Sequence, residues 1–143
     1  DHAPYTFEEK EKGSKNMFNT PAGFSGIQTG YMAFFSEGVN KRKMPLEQFV
    51  AMTSTNAAKR YNVFPKKGIL EVGSDADIVI INQKKKWTVT KDQLFYKMKW
   101  TPYMGKEIEG KIEKTIVRGT VVYSDGDICV KAGFGEYVPA QAR

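Results

Sequence analysis

Near residue 66 the apolar residues of this chain change their period, and that change limits what it can fold into. Upstream, Ile27, Tyr31, Phe34 and Phe35 fall at i, i+4, i+7 and i+8, one face of a helix starting at about Gly26. Downstream, short β-branched runs alternate with turn signals such as Gly73-Ser74-Asp75 and Asp125-Gly126. The pattern predicts helices followed by a small β-region. Amphipathic helices need a surface to bury against, so the pattern suits the end of a larger molecule.

Residues 1–25 are polar, rich in Gly, Pro, Asn and Lys, and show no sustained period, which predicts a long loop. Gly38 is the expected stop of the first helix. A second helix is expected from Pro45 as its first residue, with Leu46, Phe49, Val50 and Thr53 on one face. A third would be capped by Ser54 or Thr55, with Ala57, Ala58 and Tyr61 facing inward. Residues 77–82 (DIVIIN) and 87–90 (WTVT) read as two strands, with Lys84-Lys85-Lys86 as a solvated turn between them. Residues 115–117 and 120–123 read as a hairpin about a tight Arg118-Gly119 turn. The tail from Gly133 is expected on a surface.

A hydrophobic fraction of 41% supports a packed core. No apolar run reaches the roughly 18 residues that span a bilayer, and no membrane partner is expected. The net charge of +6 is spread over scattered lysines with no recognition motif, so no nucleic-acid partner is expected. One cysteine, Cys129, excludes an internal disulfide framework and fits a reducing cytoplasm; the thiol reads as buried packing or as incidental.

Composition offers little chemistry. One histidine, His2, and one cysteine cannot close a zinc site between them. No phosphate loop, dinucleotide fingerprint or nucleophile elbow is present. Asp1 beside His2 is the one notable pair, and by composition alone the leading reading of Asp1 is a terminal residue of no consequence.

Four stretches change that reading. DHAPYTFEEK, TPAGFSGIQTGYMAFFSEGV, MPLEQFVAMTSTNAAKRYNVFPKKGILEVGSDADIVIIN and WTPYMGKEIEGKIEKTIVRGTVVY occur in that order across nearly the whole chain. Together they resemble the closing part of cyclic amidohydrolases: hydantoinases, dihydropyrimidinases, dihydroorotases and allantoinases. The resemblance implies an α/β plus β fold. Residues 1–65 would be the C-terminal end of a (β/α)₈ TIM barrel: the end of strand 8, the last loop and helices. Residues 66–143 would be part of a small β-sandwich domain and the tail. Barrel active sites lie at the C-terminal ends of the strands.

By the same resemblance, Asp1 is the catalytic carboxylate and a metal ligand, orienting the attacking hydroxide and moving its proton to the leaving nitrogen. The family's H-x-H pair, bridging lysine and further histidines are not in this sequence. The resemblance therefore implies a C-terminal fragment, inactive alone and without metal. The longer parent would hold two divalent ions, expected to be zinc, and would form homo-oligomers.

The implied substrate is a small cyclic amide or ureide. Tyr5 stands where dihydroorotases commonly carry a histidine that binds a carboxylate. Tyrosine donates a hydrogen bond but brings no charge, which favours a hydantoinase or allantoinase over a dihydroorotase. Tyr5 reads equally as lining of the pocket mouth. Ala22 and Gly23 align with a loop whose backbone holds the substrate ring in relatives; a simple turn glycine is the competing reading. Two alternatives from other classes stand beside the enzyme: a non-catalytic dihydropyrimidinase-related scaffold, and a free-standing β-sandwich binding module.

Overall fold

The computed structural model describes residues 2–141. Helices and one four-stranded antiparallel sheet share a single hydrophobic core. Met32, Ala33, Phe35 and Phe49 come from the helices, and Val89, Leu94 and Ile108 from the strand-bearing half. Among the described residues no helix is long and apolar enough to cross a membrane.

The leading segment is more ordered than a loop. Helix α1, Phe7–Glu11, is set by a capping box. Thr6 N–H donates to Glu9 Oε2 at 2.7 Å, and Glu9 N–H donates to Thr6 Oγ1 at 3.2 Å. The Thr6 backbone hydrogen bond, followed by its hydroxyl, holds the Glu9 carboxyl below its ordinary value. The T-x-x-E pattern behind this helix is visible in the sequence, and a search for long apolar periods overlooks it. Short 3₁₀ turns follow at Lys12–Ser14 and Met17–Asn19.

Helix α2 spans Ile27–Phe35 and does not stop at Gly38. It widens into a π-helical segment, Ser36–Lys41, in which Gly38 is buried. A side chain there would lie 3.4–3.6 Å from Met44 and Phe34. The stop comes later, at Lys43, whose φ of 59° lets Met44 N–H close onto Gly38 O at 2.9 Å.

The expected second and third helices form one continuous run. Helix α3, Leu46–Val50, passes through a π-helical segment, Ala51–Thr55, into α4, Asn56–Arg60. Pro45 precedes the first turn instead of opening it. Thr55, one of the two hydroxyls expected to cap a new helix, is used otherwise, as is Thr53 of the second helix. Thr53 Oγ1 donates back to Phe49 O at 2.8 Å, and Thr55 Oγ1 donates to Gly68 O at 2.7 Å. Ala58 is buried, whereas Tyr61 is 72% exposed and does not face inward.

The two expected strands about the lysine run are one strand. β1, Ile78–Thr88, pairs antiparallel with β2, Glu107–Val117, and the register slips between Asn82 and Lys86. The slip frees carbonyls on both strands, and one side chain satisfies them: Asn40 Nδ2 donates to Gln83 O at 3.0 Å and to Glu109 O at 2.8 Å. The lysines bulge out of a continuing strand rather than turn the chain. The hairpin to β3, Thr120–Ser124, turns at Arg118 (φ 48°) and Gly119 (φ 78°), as expected. Asp125 and Gly126 make the second tight turn, into β4, Asp127–Ile128.

Helices meet sheet at Gly110. Ile108 and Gly110 of β2 are buried at period two, and Gly110 has a φ of 114°. A side chain there would sit 2.7 Å from Phe35 Cδ1 and 3.0 Å from Met32 Cε. Trp87 Nε1 covers the same residue, donating to Gly110 O at 2.8 Å. Phe49 closes the core, its ring centroid 5.2 Å from Tyr31, 5.4 Å from Phe34 and 5.2 Å from Phe35. Cys129 is exposed, which removes the buried-packing reading of that thiol.

Candidate functional site

The first residues run beside the loop that enters α2. His2 bridges Phe24 in parallel, and Ala3 N–H donates to Phe24 O at 3.0 Å. His2 Nδ1 accepts from Gly26 N–H at 3.2 Å and Ile27 N–H at 3.3 Å, so the imidazole seals the first turn of α2. Asp1, expected to be the catalytic carboxylate and metal ligand, lies outside the described residues.

Tyr5 and Gly23 come together through a lysine. The ammonium of Lys10 donates to Pro21 O and to Gly23 O, and sits 5.2 Å from the centroid of the Tyr5 ring. Gly23 holds a φ of 76°, a conformation glycine adopts at least cost. Ala22 is exposed, between the two tethered carbonyls. Helical periodicity gives no sign of Lys10; the capping box that orders α1 is the signal that aims it.

A second set of contacts holds this segment from outside. Trp100 Nε1 donates to Tyr5 O at 2.6 Å. Gln28 N–H donates to Tyr96 Oη at 2.5 Å, and Gln28 Oε1 accepts from Phe95 N–H at 2.9 Å. The residues between β1 and β2 therefore clamp both the Tyr5 segment and the start of α2.

A separate opening lies elsewhere. A cavity of about 610 Å³ lies between Val50–Tyr61 and Lys67–Asp77, and none of Tyr5, Ala22 or Gly23 lines it. On its wall Lys67 Nζ pairs with Asp75 Oδ2 at 2.9 Å and with Asp77 Oδ2. Asp77 Oδ1 accepts from Arg118 N–H at 2.9 Å. Burial acts to raise the Asp77 carboxyl, but the Lys67 hydrogen bond, the Arg118 amide and both cations outweigh it, leaving the group below its ordinary value. Burial likewise opposes the Lys67 ammonium, and hydrogen bonds and charge from Asp77 and Asp75 carry it above its ordinary value. This clasp ties the β2–β3 turn to the start of β1.

Helices laid on an antiparallel sheet, with a lysine-tethered loop beside the chain's first residues, are the α-plus-β frame that carries this site. The family model for the amidohydrolase family matches residues 1–122, and the chain belongs to that family. An L-hydantoinase of Paenarthrobacter aurescens is 36% identical over 138 residues, covering 96% of this chain and 30% of that protein. An allantoinase of Bacillus licheniformis is 37% identical over 139 residues, covering 97% and 30%. The solved dihydropyrimidinase from Brevibacillus agri superposes with a TM-score of 0.89 at 36% identity, over 100% of this chain and 32% of that one. The chain thus spans about 30% of the length of the curated relatives it matches.

Members of this family generally bind divalent metal ions. Among the described residues no three His, Cys, Asp or Glu side chains come together as a metal site. His2 Nδ1 already accepts two backbone amides. The described residues do not by themselves fit a metal pair.

Proposed function

We propose that this chain is the closing part of a metal-dependent cyclic amidohydrolase of hydantoinase or allantoinase type, which opens a small cyclic amide or ureide at a C–N bond. The observation that carries the reading is the superposition on a solved dihydropyrimidinase over 100% of this chain at 36% identity. In this reading residues 1–65 end a TIM barrel and residues 66–143 form part of a β-sandwich and tail.

The roles are those that membership of the amidohydrolase family implies. Asp1 would be the catalytic carboxylate and one metal ligand, with the remaining ligands supplied by other parts of the protein; the metal would supply the activated hydroxide, and Asp1 would serve as its proton carrier. Those ligands would hold two zinc ions. Ala22 and Gly23 present backbone groups to the ring, and Tyr5 offers a neutral hydroxyl at its edge. A neutral group does not compensate a substrate carboxylate, which supports hydantoins or allantoin over dihydroorotate. Exposed Met17, Phe18, Leu70 and Val72 support assembly into a homo-oligomer. The exposed free Cys129 is compatible with a reducing cytoplasm.

The test is a substrate panel on the full-length protein with zinc: hydantoin, dihydrouracil, allantoin and dihydroorotate. Hydantoin or allantoin turned over at least about tenfold better than dihydroorotate, a difference of roughly 1.4 kcal/mol in transition-state binding, is the expected result. Preference for dihydroorotate overturns the substrate class. Zinc bound with no ring opened overturns the enzymatic reading in favour of a scaffold.

A further inference from the structure

The three donors of Lys10 lie at the point where α1, the Tyr5 segment and the Ala22–Gly23 loop converge. Two of them are taken by carbonyls on either side of Ala22, those of Pro21 and Gly23. The ammonium also faces the Tyr5 ring, 5.2 Å from its centroid. Helix α1 carries Lys10 on its last turn, and the Thr6–Glu9 capping box fixes that helix at its other end. Trp100 fixes Tyr5 from outside through its carbonyl.

Peptide planarity turns these bonds into a direction. In a trans peptide the C=O and the following N–H point to opposite sides. With Pro21 O drawn onto Lys10, the Ala22 N–H faces away from it. With Gly23 O drawn onto Lys10, the Phe24 N–H faces away likewise. Ala22 is exposed, so its N–H is left on the open side of the loop.

We propose that Lys10 is a positioning residue: its ammonium aims the Ala22 N–H as a hydrogen-bond donor to a ring carbonyl and sets the distance between that donor and Tyr5. This rests on the substrate role of the loop given under Proposed function. Lys10 itself touches neither the ring nor the reacting atoms. It acts through the two carbonyls it holds, and a charged donor with several N–H groups is needed to hold both while lying over an aromatic face.

The test uses the full-length enzyme with hydantoin and allantoin as probes. Lys10→Met keeps the length and apolar stem and removes the donors; Lys10→Arg keeps donors and charge. Lys10→Met should lower kcat/KM by about 10- to 100-fold, mostly through KM, the size expected when charge-assisted hydrogen bonds that orient substrate are lost. Lys10→Arg should stay within about fivefold of wild type, since its fork can reach both carbonyls. In Lys10→Ala, added ethylammonium should restore part of the loss and tetraethylammonium, which has no N–H, should not. Lys10→Met within about twofold of wild type, or no difference between the two ammonium ions, overturns the proposal.

A second readout separates failure here from failure of the functional reading. Limited proteolysis of the backbone between residues 21 and 24 should speed up by about tenfold in Lys10→Met and stay near wild type in Lys10→Arg. If the wild-type enzyme opens none of the rings, the substrate reading falls, and the cleavage rate alone decides whether Lys10 holds the loop. An unchanged cleavage rate in Lys10→Met overturns the tether itself.

Discussion

Replacing Gly110 with alanine puts one methyl group where α2 meets the sheet. Its Cβ would lie 2.7 and 2.8 Å from two ring carbons of Phe35 and 3.0 Å from Met32 Cε. Phe35 is 1% exposed and Met32 2%, so neither can swing into solvent. Overpacking of this kind costs about 1–3 kcal/mol. The φ of 114° adds backbone strain of about 1–2 kcal/mol for a residue with a Cβ. Gly110→Ala should therefore lose about 2–5 kcal/mol, read as a shift in the urea midpoint by circular dichroism. The two causes separate in a cycle with Phe35→Leu, which removes the ring the methyl would strike. Relief of the clash predicts a favourable coupling of about 1–3 kcal/mol between the substitutions, with backbone strain remaining. If the two costs add to within about 0.5 kcal/mol, close approach of α2 is not why position 110 is glycine, and the account of the helix–sheet contact fails.

Phe49→Ala removes a ring that is 1% exposed and touches three other aromatic rings; unfolding measurements should show a loss of about 3–5 kcal/mol. Asp77→Asn should cost about 1–3 kcal/mol at neutral pH, because it weakens the bonds to Lys67 and the Arg118 amide. The Asp77 carboxyl lies below its ordinary 3.8, so its contribution is full above that value and is lost as pH falls through the lower, folded one; the Lys67 ammonium lies above its ordinary 10.5, so its share is full below that value and goes only as pH rises past it. Denaturation of wild type and variant should differ across the neutral range and converge in strong acid. Cys129 is exposed, so a maleimide should label it in the native protein at a rate that denaturant barely changes.

How much of this was legible differs from element to element. The existence of α2 and both tight turns were readable because each rests on local chemistry: a 3.6-residue period, or residues suited to positive φ at Arg118-Gly119 and Asp125-Gly126. The face α2 buries was read only in part, since Ile27 is 72% exposed and Thr29, Met32 and Ala33 are buried beside Phe35. Gly38 misled because its sequence signal is a helix stop while its structural role is space for Met44 and Phe34, a contact set by tertiary packing. The lysine run misled in the same way. Nothing local shows that Asn40, some 40 residues earlier, satisfies the carbonyls a bulge would leave open. Of the candidate site, Tyr5, Ala22 and Gly23 were singled out by resemblance, and no pattern of spacing would have joined them to Lys10. Their meeting depends on a five-residue helix held by one capping box.

The slip in β1 bears on how copies of this chain behave in a crowded solution. Within the described residues β1 is the longer of the sheet's two edge strands, and Val79 and Ile80 on it are 43% and 42% exposed. An apolar border of this kind is a template for fibrils. Stacking identical copies in register would set Lys84, Lys85 and Lys86 over their counterparts about 4.8 Å away, with three like charges repelling at every layer. The bulge also breaks the flat ladder such stacking requires. The same irregularity that hid this strand from view therefore acts as a guard on its open side, one that salt would weaken by screening the ammonium groups.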